Sequence, residues 1–254
     1  MIKISVICRI IINILYKFFA RKHRFPRYES EEFCWINYSH CSPESKFPLE
    51  KQYAIDVAIK QISSGLPILE IGVCGGRSTS FIGSLLAKYG KENALVTVDP
   101  WWNCPDGAVL QGPKEKSAES YRQYIKDQYI NNAHFWFEGN LPTSFEMDSD
   151  TFFKSWRQGQ PKVDLFGAER TMGGCISFCY LDGDHGYVQV KKDFDNVDKI
   201  LEVGGYIYFD DSDRLHRDGG EVVNGCYLAV KEALKSKRYE QVLRNPNYLL
   251  RKTK

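Results

Sequence analysis

The chain has 254 residues, of which 43% are hydrophobic and 26% are charged, enough to bury one sizeable α/β core. Its formal net charge of +2 conceals an asymmetry, because residues 1–28 contain seven Lys and Arg side chains and no acid, which leaves the remainder net acidic. Nucleic-acid-binding domains usually carry a basic face on the folded body. The charge distribution therefore predicts no nucleic-acid partner.

The cysteine and histidine patterns exclude two further classes of protein. Eight cysteines occur without a CxxC pair or a compact framework, and the five histidines lack the spacing of a zinc site. Free thiols are typical of a reducing compartment. The sequence therefore predicts a cytoplasmic protein without disulfides or structural zinc.

Residues 1–24 form a basic, amphipathic pattern that predicts a helix. Arg9 and Asn13 interrupt its apolar stretch, so the uncharged run is far shorter than the roughly 20 residues of a membrane span. Contact with the inner face of a membrane, packing on the domain or on a partner subunit of a homo-oligomer, and a marginal transmembrane anchor all remain open. Residues 25–47 are predicted to be a connector, and residues 48–254 the main domain.

Strand and helix patterns alternate along the first half of the main domain. In chain order we predict a helix at 49–62, a strand at 67–72 that runs into a glycine turn, a helix at 78–89, a strand at 94–98 that ends in Asp99, an aromatic loop at 100–118, a helix at 118–130, a strand at 134–138 and a helix at 149–156.

The second half continues the alternation and ends in a hairpin. We predict a strand at 176–181, a helix at 188–201, a strand at 206–209, a helix at 221–234, and hairpin strands at 239–243 and 248–251. Alternating strands and helices indicate a doubly wound α/β fold, whose mostly parallel sheet here ends in a C-terminal antiparallel hairpin.

Two pairs of aspartates follow neighbouring predicted strands. Asp182 and Asp184 come after the first strand, and Asp210 and Asp211 after the second. Because a right-handed strand–helix–strand unit brings both strand ends to one edge, we expect these carboxylates to converge where open α/β sheets bind ligands. Their mutual repulsion favours a bound cation. Asp211 can join the site only if the chain turns there, since consecutive residues of a strand point to opposite faces.

A glycine turn lies between the first predicted strand and the following helix, in the run from Glu70 to Ser78. Glycines allow close approach of a ligand, and the free amides of the helix favour anionic groups, although tight strand–helix packing would also explain them. Asp99, at the next strand end, is placed to accept ribose hydroxyls. Cys74 occupies the middle glycine position of a dinucleotide motif, whereas Glu70 suits the ammonium group of S-adenosylmethionine.

These motifs resemble those of class I S-adenosylmethionine-dependent methyltransferases, over about residues 48–250. The similarity is greatest to metal-dependent O-methyltransferases that modify sugars in macrolide and aminocoumarin biosynthesis, and to the group near cephalosporin hydroxylases. The resemblance implies a seven-stranded Rossmann-like sheet. It depends on Leu69-Glu70-Ile71-Gly72-Val73-x-Gly75-Gly76-x-Ser78, Val96-Thr97-Val98-Asp99, Asp182-Gly183-Asp184-His185-x-Tyr187, and Gly204-Gly205 through Asp210-Asp211.

The resemblance also implies roles for particular residues. Asp182, Asp210 and Asp211 would bind Mg²⁺ or a similar divalent cation. Either Asp184 or His185 would act as the base that deprotonates a hydroxyl of a sugar or another small acceptor. The cofactor-binding residues would be Glu70, Gly72, Gly75, Gly76, Ser78 and Asp99.

Three other functions remain open at this point. The first is a methyltransferase of the same fold that acts on nitrogen or without a metal. The second is a nucleotide-sugar or dinucleotide enzyme, and the third a non-catalytic scaffold. Four converging carboxylates weigh against a scaffold, which has no physical need for them.

Overall fold

The computed structural model describes residues 47–101, 118–213, 217–218, 221–222 and 224–254. The predicted N-terminal helix at 1–24, nearly all of the connector at 25–47 and most of the aromatic loop at 100–118 lie outside these residues. None of the described helices combines the length and the hydrophobicity that a membrane-spanning segment requires.

Six helices and eleven strands make up the described chain. The helices are α1 (Leu49–Gln61), α2 (Arg77–Lys88), α3 (Ala118–Trp136), α4 (Ser149–Gln158), α5 (Tyr187–Ile200) and α6 (Gly225–Lys235). The strands are β1 (Ile68–Ile71), β2 (Leu95–Asp99), β3 (Thr143–Glu146), β4 (Pro161–Val163), β5 (Glu169–Thr171), β6 (Ile176–Leu181), β7 (Leu201–Phe209), β8 (Arg217–Asp218), β9 (Glu221–Val222), β10 (Tyr239–Asn245) and β11 (Asn247–Lys252).

Seven strands form the central sheet, in the order β10-β11-β7-β6-β1-β2-β3. The five strands from β7 to β3 pair in parallel, and β11 pairs antiparallel with both β7 and β10. This arrangement confirms the predicted mostly parallel sheet with a C-terminal antiparallel hairpin. The strands β4–β5 and β8–β9 form two separate small ribbons.

Helices cover both faces of this sheet. One face packs its apolar residues, among them Leu69 and Ile71 of β1, against α4, α5 and α6. Glu70 points to the opposite face, where it bonds to side chains of α2, since side chains alternate along a strand. On that side α1 contacts α2, and α2 contacts α3. The sheet is therefore doubly wound, as the sequence predicts.

The carboxyl ends of β1, β2, β6 and β7 meet at one edge of the sheet. The ladder continues one residue past three of these strands: the amides of Gly72, Asp182 and Asp210 donate to carbonyls of the neighbouring strands at 2.8–3.0 Å. The residues that follow the strands are therefore fixed relative to one another.

The predicted strand at 134–138 is wrong. Helix α3 continues to Trp136, and the edge strand is β3, at Thr143–Glu146. Ile125, Tyr129 and Ala133 are buried at helical spacing, whereas Phe135 is 71% exposed. The core face of the helix therefore overrides the aromatic run that suggested a strand.

The predicted helix at 221–234 begins too early. The structure places Glu221–Val222 in β9 and starts α6 at Gly225. Asn224 caps α6, because its side chain accepts the amide of Tyr227 at 2.8 Å. The other predicted elements of the described chain are present, but the strand predicted at 206–209 begins earlier, at Leu201. The four described cysteines are free thiols.

Candidate active site

Two glycines of the turn are required by packing. Gly72 has φ +83°, and a Cβ there would lie 2.0 Å from the carbonyl oxygen of Asp182. Gly76 has φ +84°, and its Cβ would lie 2.7 Å from the ring of Tyr129. Both positions need glycine irrespective of any ligand. Gly72 also joins the turn directly to the residues that follow β6.

Glu70 is fully buried beneath the turn. It accepts hydrogen bonds from the hydroxyls of Ser78 and Thr79, the latter at 2.6 Å, so the hydroxyl of Ser78 is engaged with protein. Burial raises the pKa of Glu70 to about 7, although both hydroxyls oppose this shift. The first turn of α2 is thereby tied to β1.

The raised pKa of Glu70 predicts a pH-dependent stability. The folded protein keeps this proton up to about pH 7, whereas the unfolded chain releases it near 4.5, so the free energy of unfolding should fall as pH rises through this window. The expected loss is on the order of 3 kcal/mol, at about 1.4 kcal/mol per pKa unit. Urea denaturation at several pH values should show a steeper loss in the wild type than in Glu70→Gln, because the raised pKa values of Asp99 and Asp182 affect both proteins equally. An identical pH slope in both proteins would contradict the assignment.

Asp99, at the end of β2, stabilises the glycine turn through hydrogen bonds. One carboxylate oxygen accepts the amides of Val73 and Cys74 at 2.7 and 2.9 Å, and the other accepts the amide of Trp101 at 2.8 Å. Burial raises the pKa of Asp99 against these three bonds. The indole of Trp101 donates to the carbonyl of Cys74 at 3.0 Å and packs on Tyr129. Trp101 therefore contributes to the shape of the turn.

Asp210 and Asp211 follow β7 in a turn. Asp211 could join the same site as Asp210 only if the chain turned here, and it does. Asp211 adopts a left-handed conformation with φ +46°, which aspartate tolerates better than most residues. Its side chain is 63% exposed, whereas that of Asp210 is buried. Together with Asp182 they form the acid cluster.

Asp210 is surrounded by four hydrogen-bond donors. One carboxylate oxygen contacts the ammonium group of Lys51 and accepts the hydroxyl of Tyr180 at 2.8 Å. The other accepts the side chain of Asn247 at 2.7 Å and the amide of Asp211 at 2.8 Å. Burial opposes ionisation, but the charge of Lys51 and the hydrogen bonds from Asp182, Lys51 and Tyr180 together hold the pKa of Asp210 below its ordinary value. Asp210 is therefore the ionised centre of the acid cluster.

His185 lies between the other two carboxylates. Its Nε2 is 3.5 Å from Asp182 and its Nδ1 is 3.4 Å from Asp211. Asp182 raises the pKa of His185 to about 8 against partial burial, and Asp211 and Asp210 add to this shift. Burial, followed by the charge of Asp210, raises the pKa of Asp182 well above its ordinary value. The amide of Gly225 donates to the carbonyl of His185 at 3.0 Å, which anchors its backbone to the start of α6.

Asp184 has a different environment. Its side chain is exposed and accepts the amide of Gly186 at 2.6 Å, just before α5. It does not line the cleft that contains His185. Of the two candidate bases, only His185 contacts the acid cluster in this arrangement.

A single cleft of about 390 Å³ connects the two predicted parts of the site. The glycine turn, from Gly72 to Cys74, forms one part of its wall together with Asp99. The acid cluster, His185 and Lys51 form another part. This volume is in the range of small-molecule sites. The cleft thus places a turn able to hold a nucleoside beside groups able to hold and deprotonate a hydroxyl.

Sequence reasoning missed three contacts of the acid cluster. Lys51 comes from α1, 159 residues before its partner Asp210, and no sequence signal connects them. Tyr180 lies within β6, where an aromatic residue is expected to be a core residue. Asn247 lies between the two predicted hairpin strands, and the hairpin brings it back beside β7.

The sheet order, its antiparallel hairpin and the cleft at its carboxyl edge are those of the class I methyltransferase fold. Residues 69–212 match the family described as methyltransferase domain. This match covers more than half of the chain, which therefore belongs to that family. A search of curated protein sequences finds no match.

Solved structures with this fold include three methyltransferases. The O-methyltransferase NovP is 14% identical, with 81% of each chain covered and a TM-score of 0.53. TomG from Streptomyces achromogenes, an O-methyltransferase of tomaymycin synthesis solved with S-adenosylmethionine, is 14% identical over 93% of this chain and 95% of its own, with a TM-score of 0.56. The calicheamicin methyltransferase CalS11 is 18% identical over 89% of this chain and 93% of its own, with a TM-score of 0.52.

Proposed function

We propose that the protein transfers a methyl group from S-adenosylmethionine to a hydroxyl of a sugar or another small acceptor, in natural-product or surface-glycan biosynthesis. The observation that carries this proposal is the single cleft shared by the glycine turn and the acid cluster. The names of similar structures support the acceptor class, since two are O-methyltransferases and CalS11 is named a TDP-rhamnose 3'-O-methyltransferase.

In this proposal the turn at Gly72, Gly75, Gly76 and Ser78, with Glu70 beneath it, holds the cofactor beside Asp99. When bound, S-adenosylmethionine supplies an electrophilic methyl group. The protein must then orient the acceptor hydroxyl and remove its proton.

We assign the role of base to His185 rather than to Asp184. His185 lines the cleft and contacts two carboxylates that stabilise its protonated form. Asp184 is turned toward the start of α5. A base must lie within reach of the proton it removes, so position decides between them.

We also propose that the acid cluster binds a divalent cation such as Mg²⁺. Asp182 and Asp211 present oxygen ligands of the kind that Mg²⁺ prefers, whereas Asp210 can join only when Lys51 leaves its carboxylate. As the described residues stand, no group of three His, Cys, Asp or Glu side chains is arranged around a metal position. A bound cation would supply charge that stabilises a deprotonated acceptor.

Metal-free methyl transfer is the second candidate, and the contact between Lys51 and Asp210 favours it. The acid cluster already has a positive partner, so its repulsion does not by itself require a metal. Methyl transfer that persists unchanged in EDTA would select this candidate over the metal-dependent one.

Calorimetric titration with S-adenosylhomocysteine, the methyl-transfer product, tests cofactor binding. We expect the wild type to bind, and Asp99→Ala to bind more weakly by about 1–3 kcal/mol, because the loss of Asp99 removes bonds from a charged group that holds the turn.

Asp148→Ala is the matched control for this titration. Asp148 also accepts a backbone amide, that of Thr151 at 2.8 Å, but caps α4 and does not line the cleft. If folded Asp99→Ala and the control bind S-adenosylhomocysteine with equal affinity, Asp99 does not contribute to cofactor binding. Absence of binding in the wild type would overturn the proposed function.

A further inference from the structure

Lys51 is an unusual neighbour for a metal-binding carboxylate. Its side chain is only 11% exposed, and its ammonium group contacts Asp210 inside the cleft. Asp182 and Asp211 also attract this ammonium group electrostatically. The ring of Phe47 lies beneath the ammonium group, with its centroid 5.9 Å away. Three carboxylates, those of Asp182, Asp210 and Asp211, therefore attract Lys51.

The bonding of Asp210 leaves little room for another ligand. An ionised carboxylate offers about four acceptor positions, and Lys51, Tyr180, Asn247 and the amide of Asp211 account for four. Asn247 and Tyr180 lie on strands of the central sheet and are buried, so packing restricts both side chains. Lys51 has a flexible four-carbon stem and is the partner most easily displaced.

We propose that the ammonium group of Lys51 is an internal counter-ion of the acid cluster, and that Lys51 competes with a divalent metal ion for Asp210. The proposal rests on the metal ligation proposed above. While Lys51 contacts Asp210, its ammonium group and the divalent metal ion would have to share one small site, and the repulsion between these two cations weakens metal binding. Lys51 thereby raises the metal concentration at which the acid cluster binds a metal ion.

Titration of the EDTA-stripped, full-length protein with Mg²⁺ tests this competition. We expect Lys51→Met to bind Mg²⁺ at least about tenfold more tightly than the wild type, the scale for removing a like charge a few ångströms away. Lys51→Arg should retain the weak affinity, because it keeps the charge. Lys51→Gln provides a second neutral variant if Lys51→Met does not fold.

Lys88→Met is the matched control, since Lys88 also pairs with an aspartate, Asp56 at 3.1 Å, but lies outside the cleft. It should bind Mg²⁺ as the wild type does. Thermal unfolding gives a second readout: Lys51→Met should be destabilised in EDTA, where Asp210 is left buried without its cation, and recover when Mg²⁺ is added.

Equal or weaker Mg²⁺ binding by both neutral variants would overturn the proposal, as would absence of binding in every protein. Titration of the same samples with S-adenosylhomocysteine separates this failure from failure of the proposed function. Cofactor binding without metal competition would reject the role of Lys51 alone. Metal competition without cofactor binding would support Lys51 and reject the methyltransferase activity.

Discussion

We expect His185→Gln to lower the rate of methyl transfer by about 10²–10⁴-fold, the usual effect of losing a general base. The imidazole lies in the cleft between Asp182 and Asp211, where a proton taken from an acceptor hydroxyl is stabilised by both carboxylates. Asp184→Asn should retain most of the activity, because Asp184 serves the loop before α5. Transfer of labelled methyl from S-adenosylmethionine to a panel of sugars and small alcohols first identifies an acceptor for this measurement.

The pH profile of the wild type gives a second, independent readout. A base must be neutral to accept a proton, and Asp182 raises the pKa of His185 to about 8 when no metal ion occupies the acid cluster. The rate should therefore rise as pH increases through about 8 and level off above it. In His185→Gln the remaining activity should lack this step, while S-adenosylhomocysteine still binds. If Asp184→Asn is the variant that loses activity and His185→Gln retains the step, the roles are reversed.

The sequence alone predicted the parallel strand–helix–strand unit of β6, α5 and β7, which carries the acid cluster. Val190, Phe194 and Val197 repeat at helical spacing and are all buried against the sheet. Its flanking strands are almost wholly apolar, as expected for strands covered on both faces. Periodicity, together with the right-handed crossover of a strand–helix–strand unit, therefore placed Asp182 and Asp210 at one edge.

Local patterns failed where tertiary packing decided the outcome. The predicted strand at 134–138 has the aromatic content of a strand, yet its residues up to Trp136 end a long helix, because Tyr129 and Ala133 are buried on the core face of that helix. Likewise, the repulsion among the aspartates predicted a counter-charge, but the sequence could not reveal that Lys51 supplies part of it. Such contacts depend on how α1 packs against the sheet, which no local pattern encodes.

We expect Gly72→Ala to disrupt the glycine turn and the acid cluster together. The added Cβ would lie 2.0 Å from the carbonyl oxygen of Asp182, in a backbone conformation with φ +83° that alanine avoids. Nothing in the contact is flexible, because both groups are backbone at the ends of paired strands. The left-handed conformation costs about 1–2 kcal/mol. Overpacking adds about 1–3 kcal/mol, so the free energy of unfolding should fall by about 2–5 kcal/mol.

Gly90→Ala separates the clash from the backbone strain. Gly90 also has a positive φ, +60°, but a Cβ there would meet no atom within 4 Å. This variant should therefore lose only about 1–2 kcal/mol. Urea denaturation measures both losses, and titration with S-adenosylhomocysteine shows whether the turn survives. Because Gly72 touches the residue that begins the acid cluster, Gly72→Ala should weaken this ligand strongly while Gly90→Ala leaves it unchanged. Similar losses of stability and unchanged binding in the two variants would mean that the turn can move away from Asp182 without affecting the cleft.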